Sequence, residues 1–407
     1  MDSHLKTRIS ALLDHINKTE KPNLYREIKQ NYQKSCLKYS KEIWSYRPST
    51  KIEPILIEAL KKELGRVGYP RAEASMIAKY FTKTRTLQTA PHLTPTDKPR
   101  FFFINWLSSI GLKPKDYYLV AMFSGVPFSN KTRPGRITSS ENEINLFPAN
   151  MQDALVYRHT VPQKMTETLE KLPGGFHKIF PKTKVGSSYT GWALQSAKNL
   201  EKKYLGGKSV FFDFNEVATN YLALALEKKN HPISKLLFDS KHSSLLSKLF
   251  NDEFFFYENT IKDGKEVMQG FKLETNSLVG KHRSIKLSKE NLEQELAHGL
   301  CPGLPLGFLI FAFLNQTQCL GSFAQVEYLP VYKKKFLKLK VLAKYKIKDA
   351  PDGALTTGAF PGNTNLHPLD LALGEEFTFD ETTPYGEALL AIEDVLVGQN
   401  YSANMIK

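Results

Sequence analysis

Residues Tyr117 to Phe123 read Tyr-Tyr-Leu-Val-Ala-Met-Phe, bounded by Asp116 before and Ser124-Gly125 after. An apolar run this short, closed by a glycine, has the pattern of a strand covered on both faces. Strands covered on both faces belong to parallel sheets. Parallel neighbours need long crossovers, usually helical, so this one run commits the chain to an α/β architecture.

The stretch Thr84–Leu107 supplies the rest of the unit. Thr84, Thr86, Leu87 and Thr89 favour a strand, and Pro91 and Pro95 end it. Thr96 or Asp97 would cap a following helix that is apolar at Phe102, Phe103, Trp106, Leu107 and Ile110. A strand feeding a loop and a helix N-terminus is a common way to build an anion or nucleotide site, because free N–H groups point at the ligand. His92 lies in that loop between Thr89 and Thr94.

The flanking segments are read as follows. Residues 1 to about 80 carry helical spacing, as in Leu5, Ile9, Leu12, Leu13 and Ile16. Helices are expected at Tyr32–Tyr46, Ile52–Val67 and Glu73–Phe81. Beyond the core run, a small strand is expected at Ile144–Phe147 and helices at Asp153–His159, Met165–Leu172 and Trp192–Tyr204. Gly206-Gly207 turns into a buried strand at Val210–Phe212, followed by a helix at Asn215–Glu227. A strand at Ile233–Leu237 and a helix at Ser243–Phe250 follow. Glu253–Glu258 and Val267–Leu273 flank Lys262-Asp263-Gly264-Lys265 as a hairpin. A helix Lys289–His298, a core helix Leu304–Leu314 and a closing helix Pro384–Val397 complete the reading.

The expected fold is α/β, a mostly parallel Rossmann-like sheet with an N-terminal helical section. Residues 1–80 form that section, 81–340 the core and 341–407 a C-terminal extension with a final helix.

Several motifs fail on inspection. Gly207-Lys208-Ser209 resembles the end of a Walker sequence, but Lys202 stands where the upstream glycine is needed, and a strand follows instead of a helix. Lys286-Leu-Ser-Lys289 is explained by a strand ending at a Ser288 cap. Leu300 to Val326 has no charged residue, yet its apolar part, Leu304–Leu314, is too short to span a membrane. No membrane partner is expected. Three cysteines without ligand spacing fit a reducing, cytoplasmic setting and no metal.

The net charge of +15 favours anionic partners. Asn130, Arg133 and Arg136 follow the buried strand, where ligands of open α/β sheets bind, and arginine forks suit phosphate or carboxylate. An exposed basic turn is the other reading. Downstream, Gly321 and Ser322 open a helix start that carries Gln325, Glu327 and Tyr328 on its first turns. Glu327 is the only acidic residue between Glu295 and Asp349, so it is either an acid/base group or a carboxylate favoured by the helix dipole. Tyr332–Lys348 is lysine-rich with Tyr332, Phe336 and Tyr345 interleaved, a nucleic-acid strip or a solvated face.

Taken together, a helical lead-in, the strand Leu87-Gln-Thr-Ala-Pro-His-Leu93, an aromatic helix, the loop Leu300-Cys-Pro-Gly-Leu-Pro305 and Glu327-Tyr-Leu329 stand in an order that resembles the bacillithiol synthase family. These are cysteine ligases with a Rossmann-like core related to class I nucleotidyl transferases. The resemblance covers about residues 50 to 335. The family's Thr-Gly-Gln-Gln or Thr-Gly-His-Gln stretch falls on Thr89-Ala90-Pro91-His92, where Ala90 and Pro91 replace the glycine and its neighbour. Its Gly-Gly-Pro-Gly-Glu stretch falls near Gly321–Glu327, reduced to Gly321-Ser322.

The resulting expectation is a biosynthetic ligase or transferase acting on an anionic small molecule, with ATP or ADP and Mg²⁺ as candidate cofactors. His92 and Glu327 are the candidate catalytic residues. Thr89, Thr94, Asn130, Arg133, Arg136, Gly321, Ser322, Gln325 and Tyr328 are the candidate binding set. A nucleic-acid-binding protein using Lys333–Lys348 is the alternative.

Overall fold

The computed structural model describes residues 3–228 and 230–398. Its strands, in chain order, are β1 Thr86–Gln88, β2 Tyr117–Met122, β3 Arg136–Thr138, β4 Glu143–Asn145, β5 Lys208–Asp213, β6 Phe256–Lys262, β7 Lys265–Glu274, β8 Ser277–Val279, β9 Ser284–Lys286, β10 Cys301–Pro302, β11 Gln318–Gly321 and β12 Ala354–Leu355.

Five of them form a wholly parallel sheet in the order β12-β11-β1-β2-β5. The apolar run that pointed to such a sheet is β2, fully buried from Tyr118 to Met122 and paired with β5 from Tyr117↔Lys208 to Met122↔Asp213. Burying each of these large side chains contributes roughly 1.5–3 kcal/mol, which outweighs the weak pairing of a three-residue β1.

The chain enters this sheet at β1, builds outward to β2 and β5, then returns to the other side of β1 with β11 and β12. The outer strand β12 comes from beyond residue 340, so the segment read as an extension completes the sheet. A second sheet, β10-β6-β7-β8-β9, is antiparallel and contains the expected hairpin.

Five helices lead in: Ser3–Lys18, Pro22–Asn31, Cys36–Ile43, Pro54–Arg66 and Arg71–Thr84. The helix expected at Tyr32–Tyr46 starts only at Cys36, where the Ser35 side chain accepts from Lys38 N–H. After β5 the Asp213 carboxylate caps the helix Phe214–Leu226, and the helix Pro54–Arg66 packs on that helix.

Gly206 shows why glycine opens β5. A Cβ there would stand 2.0 Å from the Ser109 carbonyl oxygen, at the end of helix Pro99–Ser109.

Four local expectations need correction. Ile233–Leu237 is not a strand but part of helix Pro232–Phe238, because Pro232 fits a first helical position and His231 caps Ile233 N–H. Asp153–His159 is not a helix. Its backbone bonds run across to the loop after β2, with Val156 N–H on the Val126 carbonyl, and Arg158 is left-handed at φ 53°. Leu304–Leu314 begins as an α-helix but continues as a π-helical turn over Leu309–Leu314. The closing helix is two, Tyr385–Leu390 and Glu393–Gly398.

Among the described residues no helix is long and apolar enough to cross a membrane.

Candidate functional site

The order of entry reverses between β1 and β11, and the chains leaving those two strands diverge. In open parallel sheets this reversal leaves a crevice at the carboxyl ends of the strands. Here its floor is tied shut by a short polar clamp. Thr89 N–H and Oγ1 both reach the Leu320 carbonyl at 3.0 Å. Gln325 Nε2 donates to Thr89 Oγ1 at 3.0 Å and to the Cys319 carbonyl at 3.2 Å. Gly321 makes room for this, since a Cβ there would lie 2.5 Å from the Gln325 side chain. Thr89, Gly321 and Gln325 therefore lie together in the floor, where the polar groups of Thr89 and Gln325 bond one another.

Above it, His92 continues β1 and bridges to Phe123 beyond β2. The ring is half-buried between Phe101 and Phe123, with centroids at 6.2 and 6.0 Å. Its Nδ1 lies 3.2 Å from both Asn130 Oδ1 and Thr132 Oγ1. Asn130 Oδ1 already accepts from Thr132 N–H at 3.0 Å and from Thr132 Oγ1 at 2.9 Å, so it is an acceptor and Nδ1 must donate. That fixes the tautomer: Nε2 carries the lone pair. Burial pushes the imidazole pKa down to about 4; the Asn130 bond opposes this and the Arg100 charge adds to it. His92 is neutral at pH 7.

The cations around it form one group. Lys98 is the N-cap of helix Pro99–Ser109 and Arg100 stands on its first turn, which holds no acidic residue. The pKa of Lys98 is lowered, first by burial and then by the charges of Arg133, Arg100 and Arg136, against Glu143. Arg133 and Arg136 both lean on Glu143. Arg100 lies over the Phe323 ring at 5.0 Å and so spans the crevice from the β1 side to the β11 side. Basic residues at a helix N-terminus face the positive end of its dipole, an arrangement that an anion relieves. Arg133 adds backbone strain, at φ 64°. His367, whose Nδ1 is buried without a hydrogen bond, also feels Lys98.

No known family, curated protein or solved structure matches the chain. The site therefore rests on its geometry.

The structure brings His92, Asn130, Arg133 and Arg136 together and adds Lys98, Arg100, Thr132 and Phe323, which sequence reasoning missed. A signal for two of them was present: Lys98 and Arg100 flank Pro99 at a helix start.

Three candidates lie elsewhere. Thr94 is buried and donates to Asp97 Oδ1 at 2.8 Å. Asp97 does not cap the helix. It lies in a sealed cluster where Asn105 Nδ2 donates to it and to Glu201, at 3.1 and 2.8 Å. Tyr328 packs against Phe308 and Tyr332. Glu327 faces the helical lead-in, where its oxygens accept from Leu24 N–H at 2.6 Å and Asn23 Nδ2 at 3.2 Å. It stands in the first turn of its own helix Gln325–Phe336 and also caps helix Pro22–Asn31 from across the fold. Ser322 is half-buried beside the floor.

In the lysine-rich segment Tyr332 and Phe336 are buried and Tyr345 donates to Glu53 Oε1 at 3.0 Å, so its aromatics turn inward. Among the described residues no three His, Cys, Asp or Glu side chains gather to hold a metal.

A second charged cluster, unanticipated, closes the end of β5. Glu63, fully buried, takes Arg66 on both oxygens and Asp213 N–H on one. Glu216 takes Arg158 in a fork at 2.8 Å on each arm.

Proposed function

We propose that the chain is an enzyme with a Rossmann-like sheet that binds a nucleotide or other phosphate-bearing small molecule in the β1/β11 crevice and catalyses ligation or group transfer. The observation that carries this reading is that Arg133 and Arg136 share one half-exposed carboxylate, Glu143, while Lys98 feels both arginine charges from the start of helix Pro99–Ser109 with its Nζ on the Lys131 carbonyl. Two arginines on one carboxylate, with Lys98 beside them, leave positive charge for an anion.

In this reading the arginine forks hold phosphate oxygens and the helix N-terminus adds its dipole. His92 Nε2 accepts a proton from the attacking group. A free imidazole with a pKa near 4 is a weak base. Burial is the main cause of that low value, and an anion that offsets the smaller Arg100 effect raises the pKa and strengthens the base. The order of motifs that resembles a ligase family agrees with this chemistry.

Isothermal titration of ATP and of pyrophosphate at two salt concentrations tests the proposal. Binding should survive the higher salt and weaken at least tenfold in the Arg133→Ala/Arg136→Ala double variant. Equal affinity in wild type and variant would refute it.

A further inference from the structure

We infer that the molecule holds a second ligand site, a pocket for an amino-acid zwitterion, between the end of β5 and the antiparallel sheet. A cavity of about 390 Å³ opens there, within the range of small-molecule pockets. Its lining is charged instead of apolar: Arg158, Arg283, Glu258 and Glu295, with Asn259 and the exposed His298 at the edge.

Hydrogen-bond counting shows what the charges still offer. Arg283 donates to both Glu258 and Glu295, in a fork to each. Two carboxylates thus share one guanidinium, which leaves about one negative charge and spare lone pairs for an ammonium group. Across the cavity Arg158 uses three of its N–H groups, two on Glu216 and one on the Leu296 carbonyl at 2.9 Å. A guanidinium has five N–H donors, so two remain for a carboxylate. The Tyr157 ring under Arg158, at 5.2 Å, and the buried Glu216 hold that donor in place. An ammonium site facing a carboxylate site is the pattern of a free amino acid. Arg158 is anchored on the first turn of helix Phe214–Leu226, which leaves the carboxyl end of β5. The pocket therefore opens on the same end of the parallel sheet as the anion crevice. This inference does not depend on the crevice binding anything.

The test is ligand-observed NMR with the full chain and a mixture of the common amino acids. Each hit is then titrated alone beside its simple amine and its deaminated acid. One or a few amino acids should bind saturably. The amine should bind at least tenfold more weakly and the deaminated acid not at all. Glu295→Gln, on the half-buried rim, should weaken binding at least tenfold, while His92→Ala should leave it unchanged. Arg158→Gln leaves the buried Glu216 without its partner, so Glu295→Gln is the deciding variant. No binding by any amino acid would overturn the inference, as would equal binding by Glu295→Gln or a preference for sugars and polyols.

Discussion

Two arginine-rich regions lie at the same end of the parallel sheet, and they treat charge in opposite ways. At the end of β5 each guanidinium has its own acid. Arg66 grips Glu63, whose side chain is 0% exposed, and Arg158 grips Glu216. Over β1 and β2, Arg133 and Arg136 share Glu143 with Lys98 nearby, and the Arg133–Glu143 pair is 39% and 36% exposed. A guanidinium matched to a buried carboxylate holds structure together. Concentrated, under-matched charge beside a crevice stores binding potential, because a ligand supplies the missing counter-charge.

The largest expected effect separates the two regions by stability. Arg66→Ala removes the donors held by both oxygens of the buried Glu63. Burial already pushes that carboxyl up to about 8, so it then keeps its proton, and the variant should cost about 1–3 kcal/mol in denaturant unfolding. Arg133→Ala removes a half-exposed pair and should cost less than about 1 kcal/mol. Similar losses at both positions would erase the contrast.

A second prediction concerns the sealed Asp97–Glu201 cluster beneath the crevice. Burial pushes Asp97 up to about 6, and burial together with the Asp97 charge pushes Glu201 well above the carboxylate range. The folded chain therefore keeps protons that the unfolded chain releases. The resulting stability is fully present below about pH 4 and is lost as the pH rises through about 6. Asp97→Asn should accordingly cost less at pH 7 than at pH 4, by on the order of 3 kcal/mol. A pH-independent cost would mean the pair ionises like exposed carboxylates.

Glu327→Ala should lose about 1 kcal/mol, the value of a helix cap, and leave ATP affinity untouched. A fall in affinity would return Glu327 to the site. The smallest effect sharpens the comparison from the other side. Glu143→Gln removes the shared acid and should tighten anion binding several-fold, on the order of 1 kcal/mol, with little change in unfolding. Weaker binding would show that Glu143 positions the arginines instead of diluting them.

The parallel core was legible because burial on both faces leaves a plain mark, the run Tyr117–Phe123. The strand–loop–helix around His92 was legible for the same kind of reason: prolines and an apolar period mark its joints. Asn130, Arg133 and Arg136 could be placed near it because they follow a strand end. Contacts between segments distant in the chain were not legible. Glu327 meets Leu24 and Asn23, and Glu63 meets Asp213 across the fold. No local pattern records those meetings. Ile233–Leu237 misled because its β-favouring residues were overruled by the cap at His231 and by Pro232. The edge strand β12 escaped notice because two residues carry no periodicity.

The most direct test of the central claim is the protonation state of His92, followed by NMR of the imidazole nitrogens across pH, with and without ATP. The account predicts a neutral ring protonated on Nδ1, a pKa near 4 in the free protein, and a rise toward neutrality when ATP is present. A ring that titrates near 6.5 and ignores the nucleotide would contradict it.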